Sequence, residues 1–414
     1  MNRKKILALA LCAALTLSLL SGCAAAPAET AAPAETEAPA ETEVPAVTEA
    51  PAGDAEVVTD ESLAQYQAIM DELKRVAGTY GQDLTVCTVD GEKVSWPMFF
   101  YLLYDELQTV LYYTGALPED YGQQVTEDMT MGDYLKQSAV TKAKYYSVAH
   151  AKAAAEGASL SAEQEAELQA YWDKMVEDYG GEEAVEQALE DSFLNRDLFL
   201  YLMRCSQELG ALMEKTYGSQ GENLSEEDVL AWAADGEYMR VKHVLYQFYG
   251  DDGQPLDEAG KEEQRKRAEA ALAELQALVG DDEALEARFD EIMNAESDDP
   301  GLERFPQGYV FTPGTMVTEY EDAAKALKEY GLSELVETAY GYHILLRLPL
   351  DTEGLSMDQD ANTGAYLTLR QSAANDRFAR DLAAWIEAAE VEWTPGFEDL
   401  DLNALFGVGP DAEE

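Results

Sequence analysis

Arg240-Val-Lys-His243-Val-Leu-Tyr-Gln-Phe248 and Tyr340-Gly-Tyr-His343-Ile-Leu-Leu-Arg347 hold two of the three histidines of this 414-residue chain, one hundred positions apart. Each is a short apolar run rich in β-branched and aromatic residues, so each reads as a buried strand. Between them lie two helical patterns, Glu262 to Val279 and Glu283 to Asn294, followed by Ser297-Asp-Asp299-Pro-Gly301. Next come Gly308-Tyr-Val-Phe311-Thr-Pro-Gly314-Thr-Met316 and a third helical stretch through Tyr320 to Ala324. Leu332-Ser-Glu-Leu-Val-Glu-Thr338 then leads into the second histidine segment.

Outward from this block the patterns are helical. Residues 59–79 read as a helix with acidic start signals and glycines at its end. Leu84 to Val89, Asp90-Gly91 and Glu92 to Trp96 carry a hairpin signature, and Pro97 opens a helix to Thr114. Residues 129–156 form a long helical pattern ended by Gly157, and Ser161-Ala-Glu-Gln164 is a capping box for the next. Gly180-Gly-Glu-Glu opens another, Asn195 to Tyr217 another, and Ser225-Glu-Glu-Asp228 caps a short one. After the second histidine segment Ala365 to Ala389 is helical again, followed by Val391-Glu-Trp393 and an acidic tail. The expected fold class is α+β: a mostly helical domain (59–237 and 351–414) with an inserted α/β domain (238–350), its ends close together. Val391 to Trp393 is expected to pair with the 84–96 hairpin.

The N-terminus reads as an address. Asn2-Arg-Lys-Lys5 supplies positive charge, and Ile6 to Leu20 is too short to span a bilayer comfortably. Leu20-Ser-Gly-Cys23 has the form of a bacterial lipoprotein processing site, which makes 1–22 a signal peptide and Cys23 the lipidated residue. An ordinary secretory signal with an incidental cysteine is the alternative. In residues 23–58 prolines recur every six positions from Pro27 to Pro51. Such a segment buries nothing and is expected to be an extended tether, with a reach on the order of 90 Å.

With 82 Asp+Glu against 28 Lys+Arg, the net charge is −54. A body this acidic is not drawn to nucleic acid or to an anionic membrane surface, so the anchor is what would hold it at a membrane. The acidity reads as solubility, with attraction for cationic unfolded chains as the other reading. Cys87 and Cys205 are too few for a disulfide scaffold; they could pair with each other, but both sit in apolar surroundings and read rather as two buried thiols. No metal-ligand spacing is present, and His150, alone in an Ala/Lys/Tyr helix, reads as filler.

The 238–350 block resembles the parvulin family of peptidyl-prolyl isomerases. Its placement inside a helical domain, with the hairpin-then-helix entry and the Tyr179-Gly-Gly-Glu-Glu183 segment, resembles the plan of PrsA/SurA-like foldases over roughly residues 83–400. The resemblance implies a hydrogen-bonded His243/His343 pair, with Thr338 bonded to it and Asp299 at the carbonyl-facing position. A one-residue shift would put Asp298 there instead. It implies Met316, Tyr320 and Phe311 as the proline-binding residues. Met316 and Tyr320 are four apart, which on a helix puts both side chains on one side. Two departures stand out. The family's Gly-Gly-x-Leu-Gly-x-Phe approach appears as Phe305-Pro-Gln-Gly-Tyr-Val-Phe311, without the apolar Leu. Tyr320 replaces the usual Phe, and its hydroxyl needs a partner.

The implied chemistry needs no nucleophile, metal or cofactor. Rotation about an X–Pro bond breaks amide resonance and faces a barrier of about 18–20 kcal/mol. Holding the Pro ring in an apolar cup, and complementing the rearranged charge, favours the twisted amide. The loop Tyr249 to Glu258 is acidic and would repel phosphate, so unmodified, unfolded exported polypeptides with X–Pro bonds are the expected partners. The expected function is a membrane-anchored extracytoplasmic foldase. A holdase with a silent parvulin domain is the runner-up, and a solute-binding lipoprotein would need two α/β lobes that the pattern lacks. The sequence leaves monomer and dimer both open.

Overall fold

The computed structural model describes residues 60–250 and 252–409; the expected signal peptide, lipidation site Cys23 and tether lie outside the described residues. Among the described residues two compact units emerge: one takes residues 60–212 together with 382–409, the other lies within Met213–Asp381. The α+β class expected from the sequence is what the structure shows.

The first unit begins with α1 (Asp60–Ala77), the hairpin β1 (Thr85–Val89) and β2 (Glu92–Ser95), and α2 (Trp96–Thr114). The hairpin turn is Asp90 at φ +49° and Gly91 at φ +88°, the two positive-φ positions a tight I′ turn demands. Ser95 caps α2, and Pro97 sits in its first turn, where an amide would find no partner anyway. Trp96, Phe99, Phe100, Leu103 and Leu107 are buried along one stripe of α2.

A short hairpin, β3 (Gln124–Thr126) and β4 (Met129–Thr130), precedes α3 (Met131–Glu156). The helix expected from residue 129 therefore starts later. Thr130 stops it by capping: its hydroxyl accepts from Asp133 N (3.1 Å), and the Asp133 carboxylate accepts from Thr130 N (3.3 Å). Gly157, left-handed at φ +64°, ends α3. Ser161 and Gln164 form the expected capping box of α4 (Ala162–Tyr179). Then follow α5 (Glu182–Glu190) and α6 (Arg196–Tyr217). Cys87 and Cys205 are free, buried thiols; burial pushes them up to about 11 and about 12. His150 is more than filler. Its Nδ1 lies 2.7 Å from Oε2 of Glu208, a carboxylate only 1% exposed, so it partners a buried acid.

The second unit contains α7 (Glu226–Asp235), β5 (Met239–Gln247), α8 (Glu258–Gln276), α9 (Asp282–Glu296), β6 (Tyr309–Phe311), α10 (Thr318–Ala326), β7 (Val336–Glu337) and β8 (Gly341–Leu348). The hairpin β9 (Leu355–Gln359) and β10 (Tyr366–Thr368) leads into α11 (Leu369–Ala388). The helix expected from residue 365 thus begins at Leu369. Thr368 and Gln371 cap each other across its first turn, at 2.8 and 3.2 Å, and the residues before Thr368 pair with β9.

Four strands form an antiparallel sheet in the order β6-β5-β8-β7, with the two histidine strands at its centre. Side chains alternate along them. Val244, Tyr246, Ile344, Leu346 and Leu348 face Ala268, Leu272 and Leu275 of α8 and Leu285, Phe289 and Ile292 of α9. Met239, Val241 and Leu345 point to the other face, onto Phe311 and α10. A third cluster packs Val310 against Leu224, Val229 and Ala233 and against Leu369, Ala373 and Ala374.

The chain ends in β11 (Val391–Trp393) and α12 (Leu402–Phe406). β11 pairs with β1, Val89 opposite Val391 and Cys87 opposite Trp393, completing the three-stranded sheet β11-β1-β2 expected from the sequence.

Candidate functional site

The register of β5 and β8 brings the histidines together. His243 lies opposite Leu345 and Leu245 opposite His343, so the two imidazoles are diagonal neighbours on one face of the sheet. Their rings are parallel within 9°, centroids 5.3 Å apart, with Nδ1 to Nδ1 at 3.1 Å. Gly341 starts β8 where only a glycine fits: an added Cβ would meet Tyr246 O at 2.2 Å.

A line of hydrogen bonds runs through the pair. At one end Asp299 Oδ2 lies 3.0 Å from His243 Nε2 and accepts from the Tyr309 hydroxyl at 2.8 Å. At the other, Thr338 Oγ1 lies 2.9 Å from His343 Nε2 and accepts from Tyr340 N at 3.1 Å. Burial, reinforced by the charge of His243 and opposed by Asp299, lowers His343 to about 3, so its ring is neutral at ordinary pH. One proton order along this line satisfies every ring nitrogen. Thr338 donates to His343 Nε2, His343 Nδ1–H donates to His243 Nδ1, and His243 Nε2–H donates to Asp299.

Asp299, rather than Asp298, reaches His243. Asp298 is used by the strand: its carboxylate accepts from Gln247 N at 3.1 Å, and its amide donates to Leu245 O. Burial pushes the Asp299 carboxyl up, but hydrogen bonding from His243, the His243 charge, Tyr309 and the Gly301 amide outweigh it, leaving it below the ordinary value.

The apolar side of the site corrects one expectation. Met316 and Tyr320 do not share a helical turn, because α10 starts at Thr318 with Val317 as its cap. Both nevertheless join one cluster with Phe311, Val241 and Leu345. Met316 is held there by an acid that the sequence reading passed over. Glu321 Oε1 accepts from the amides of Gly314 and Met316, each at 2.8 Å. These amides and Lys325 outweigh the upward push of burial and keep Glu321 below its ordinary value. Its place in the first turn of a helix was the available signal. Of the three expected proline-binding side chains, Met316 is half-buried, while Phe311 and Tyr320 lie beneath at 1% and 3% exposure. The Tyr320 ring stands edge-on to both imidazoles, and its hydroxyl has no protein hydrogen-bond partner. Tyr309, also passed over, is tied to Asp299 by its hydroxyl.

Among the described residues no group of three His, Cys, Asp or Glu side chains is placed to hold a metal ion. No helix among them is long and apolar enough to cross a membrane.

Residues 243–348 match the family described as the PPIC-type PPIase domain, or Rotamase. Foldase protein PrsA of Staphylococcus aureus strain Newman is 26% identical over 177 residues, 42% of this chain and 49% of that protein. The chain thus spans about half the length of the curated relatives it matches. Among solved structures, the peptidylprolyl isomerase PrsA of Bacillus cereus is similar at 17% identity, over 71% of this chain and 100% of that one, with a TM-score of 0.26. The peptidyl-prolyl isomerase ESS1 of Candida albicans is similar at 24% identity, over 32% of this chain and 78% of that one, with a TM-score of 0.22. The segment from His243 to Leu348, with its paired histidines on adjacent central strands, is a PPIC-type peptidyl-prolyl isomerase domain of the parvulin family, carried in a chain similar to the PrsA foldases.

Proposed function

We propose that this protein is a peptidyl-prolyl cis-trans isomerase and foldase acting on unfolded exported polypeptides, held at the outer face of a membrane by a lipid on Cys23. The observation that carries the catalytic part is the unbroken line Asp299–His243–His343–Thr338 beside the Met316 cluster. The Pro ring of a substrate rests against Met316, over the buried Phe311 and Tyr320. Asp299 lies on the side toward the substrate carbonyl, and the imidazole pair fixes its charge. As the X–Pro amide twists, its nitrogen loses conjugation and gains electron density, and an enclosed apolar site with fixed charges stabilises that state more than the planar one. The test is a protease-coupled isomerisation assay on residues 24–414, with and without residues 238–350; acceleration that survives the deletion would overturn the assignment.

The burial of Phe311 and Tyr320 favours a second reading, a holdase whose parvulin domain does not turn over. Suppression of client aggregation without isomerisation would establish it. Anchoring is supported by Leu20-Ser-Gly-Cys23 and the tether behind it. Cys23→Ala is expected to release the protein from membranes or leave it unprocessed. The same variant cut before residue 23 and still membrane-held would refute the anchor.

A further inference from the structure

We propose that Tyr309 is a positioning residue of this site, clamping the Asp299 carboxylate against His243 in space that Gly301 leaves open. This rests on the isomerase reading above. The Tyr309 hydroxyl and His243 Nε2 converge on the same oxygen, Asp299 Oδ2, at 2.8 and 3.0 Å, while Oδ1 accepts from Gly301 N at 3.2 Å. Tyr309 arrives from β6 opposite Val241, two positions from His243, and therefore on the histidine face of the sheet. Its ring stands edge-on to His243 at 5.5 Å and packs on Phe305 at 4.9 Å, so the hydroxyl is aimed by packing on both sides.

Gly301 is the matching half of the arrangement. A Cβ there would stand 1.8 Å from the Tyr309 hydroxyl oxygen and 3.0 Å from Cζ. In the approach motif Tyr309 occupies the place of the family's second-to-last fixed residue, a glycine, which has no hydroxyl to offer.

Two donors on one carboxylate oxygen and a third on the other leave Asp299 no rotational freedom and favour its ionised form. The titratable groups facing it are His243 from β5, Tyr309 from β6 and Tyr320 from α10, with His343 of β8 behind His243. Removing the Tyr309 hydroxyl takes away one of the interactions that hold the carboxyl low, so its titration moves to higher pH. Orientation is lost together with charge.

The experiment compares wild type, Tyr309→Phe, Gly301→Ala and the double variant, each as residues 24–414. It measures kcat and KM on an Ala-Pro peptide across pH, the carboxyl titration of Asp299 by carbon NMR, and the melting temperature. Tyr309→Phe is expected to lower kcat about tenfold with KM little changed, and to move the Asp299 midpoint and the acidic limb of kcat/KM to higher pH. Gly301→Ala, which displaces the hydroxyl, is expected to do the same. The double variant is expected to be no worse than the worse single variant, because both changes break one contact. An unmoved Asp299 titration in Tyr309→Phe, or additive losses in the double variant, would overturn the clamp. A wild type without isomerase activity would overturn the isomerase reading instead, and the NMR titration would still decide the clamp.

Discussion

Met316 sits just ahead of a helix, and the Glu321 carboxylate accepting two loop amides fixes where its side chain lies. Met316→Ala is therefore expected to weaken proline-peptide binding by about 1–3 kcal/mol, with kcat reduced less because the ring is gripped throughout rotation. Peptide titration and steady-state kinetics check this; unchanged binding in a folded variant would move the cup elsewhere. His343 gives a second residue-scale expectation. Its value falls from 6.5 unfolded to about 3 folded, so the unfolded chain binds the extra proton between those limits. Its stabilising contribution is complete above pH 6.5 and is lost as pH falls toward 3. Asp299, held below its ordinary value, loses its contribution at the acid end of the same range. Melting temperature should fall with acidification across this window, and less steeply in His343→Gln. Identical pH slopes in the two proteins would contradict the buried, neutral His343. Residue identities at the pair were legible because two of only three histidines fell in matched strand patterns. Tyr309 was not, since it reaches His243 and Asp299 through the pairing of β6 with β5, which no spacing rule encodes; Glu321, which bonds amides only five and seven residues back, was marked only by its place in the first turn of α10.

At the level of elements, strands and caps were the readable part wherever local chemistry alone decides them. Asp90-Gly91 permits the positive φ values of its turn, and Ser161 and Gln164 satisfy two amides reciprocally. The β3–β4 and β9–β10 hairpins were missed because strands of two to five residues carry too little alternation to show against adjoining helical patterns. Lys242, on the histidine strand but facing the helices, is only 1% exposed, with Nζ 2.9 Å from Glu286 and 2.7 Å from Asp290 on α9. Replacing both acids by their amides strands that ammonium and is expected to cost about 3 kcal/mol, whereas Lys242→Met is expected to be neutral or stabilising. Urea unfolding midpoints distinguish the two. Gly341→Ala, whose Cβ collides with Tyr246 O, is expected to destabilise the β5–β8 ladder by about 1–3 kcal/mol, read as faster amide exchange along both strands.

For the whole molecule, strand-rich sequence lying between helical stretches is what suggests an insertion, and the pairing of Val391 to Trp393 with the first hairpin is the one part of that plan seen directly. The extent of the independent unit was less visible. Val310 packs on Val229 and Ala373, so a fragment of residues 238–350 leaves an apolar face bare. We expect residues 213–381 to unfold cooperatively at a higher urea midpoint than residues 238–350; equal midpoints would mean that the flanking helices add nothing. The strong negative charge favours solubility and gives salt-sensitive capture of cationic unfolded chains as a further expectation. Turnover at the paired-histidine site is decided by the cis-to-trans rate of an Ala-Pro peptide with residues 24–414. Uncatalysed conversion takes tens of seconds. A rate that rises in proportion to protein concentration and drops in Met316→Ala is expected; a folded wild-type protein that leaves the uncatalysed rate unchanged would rule turnover out.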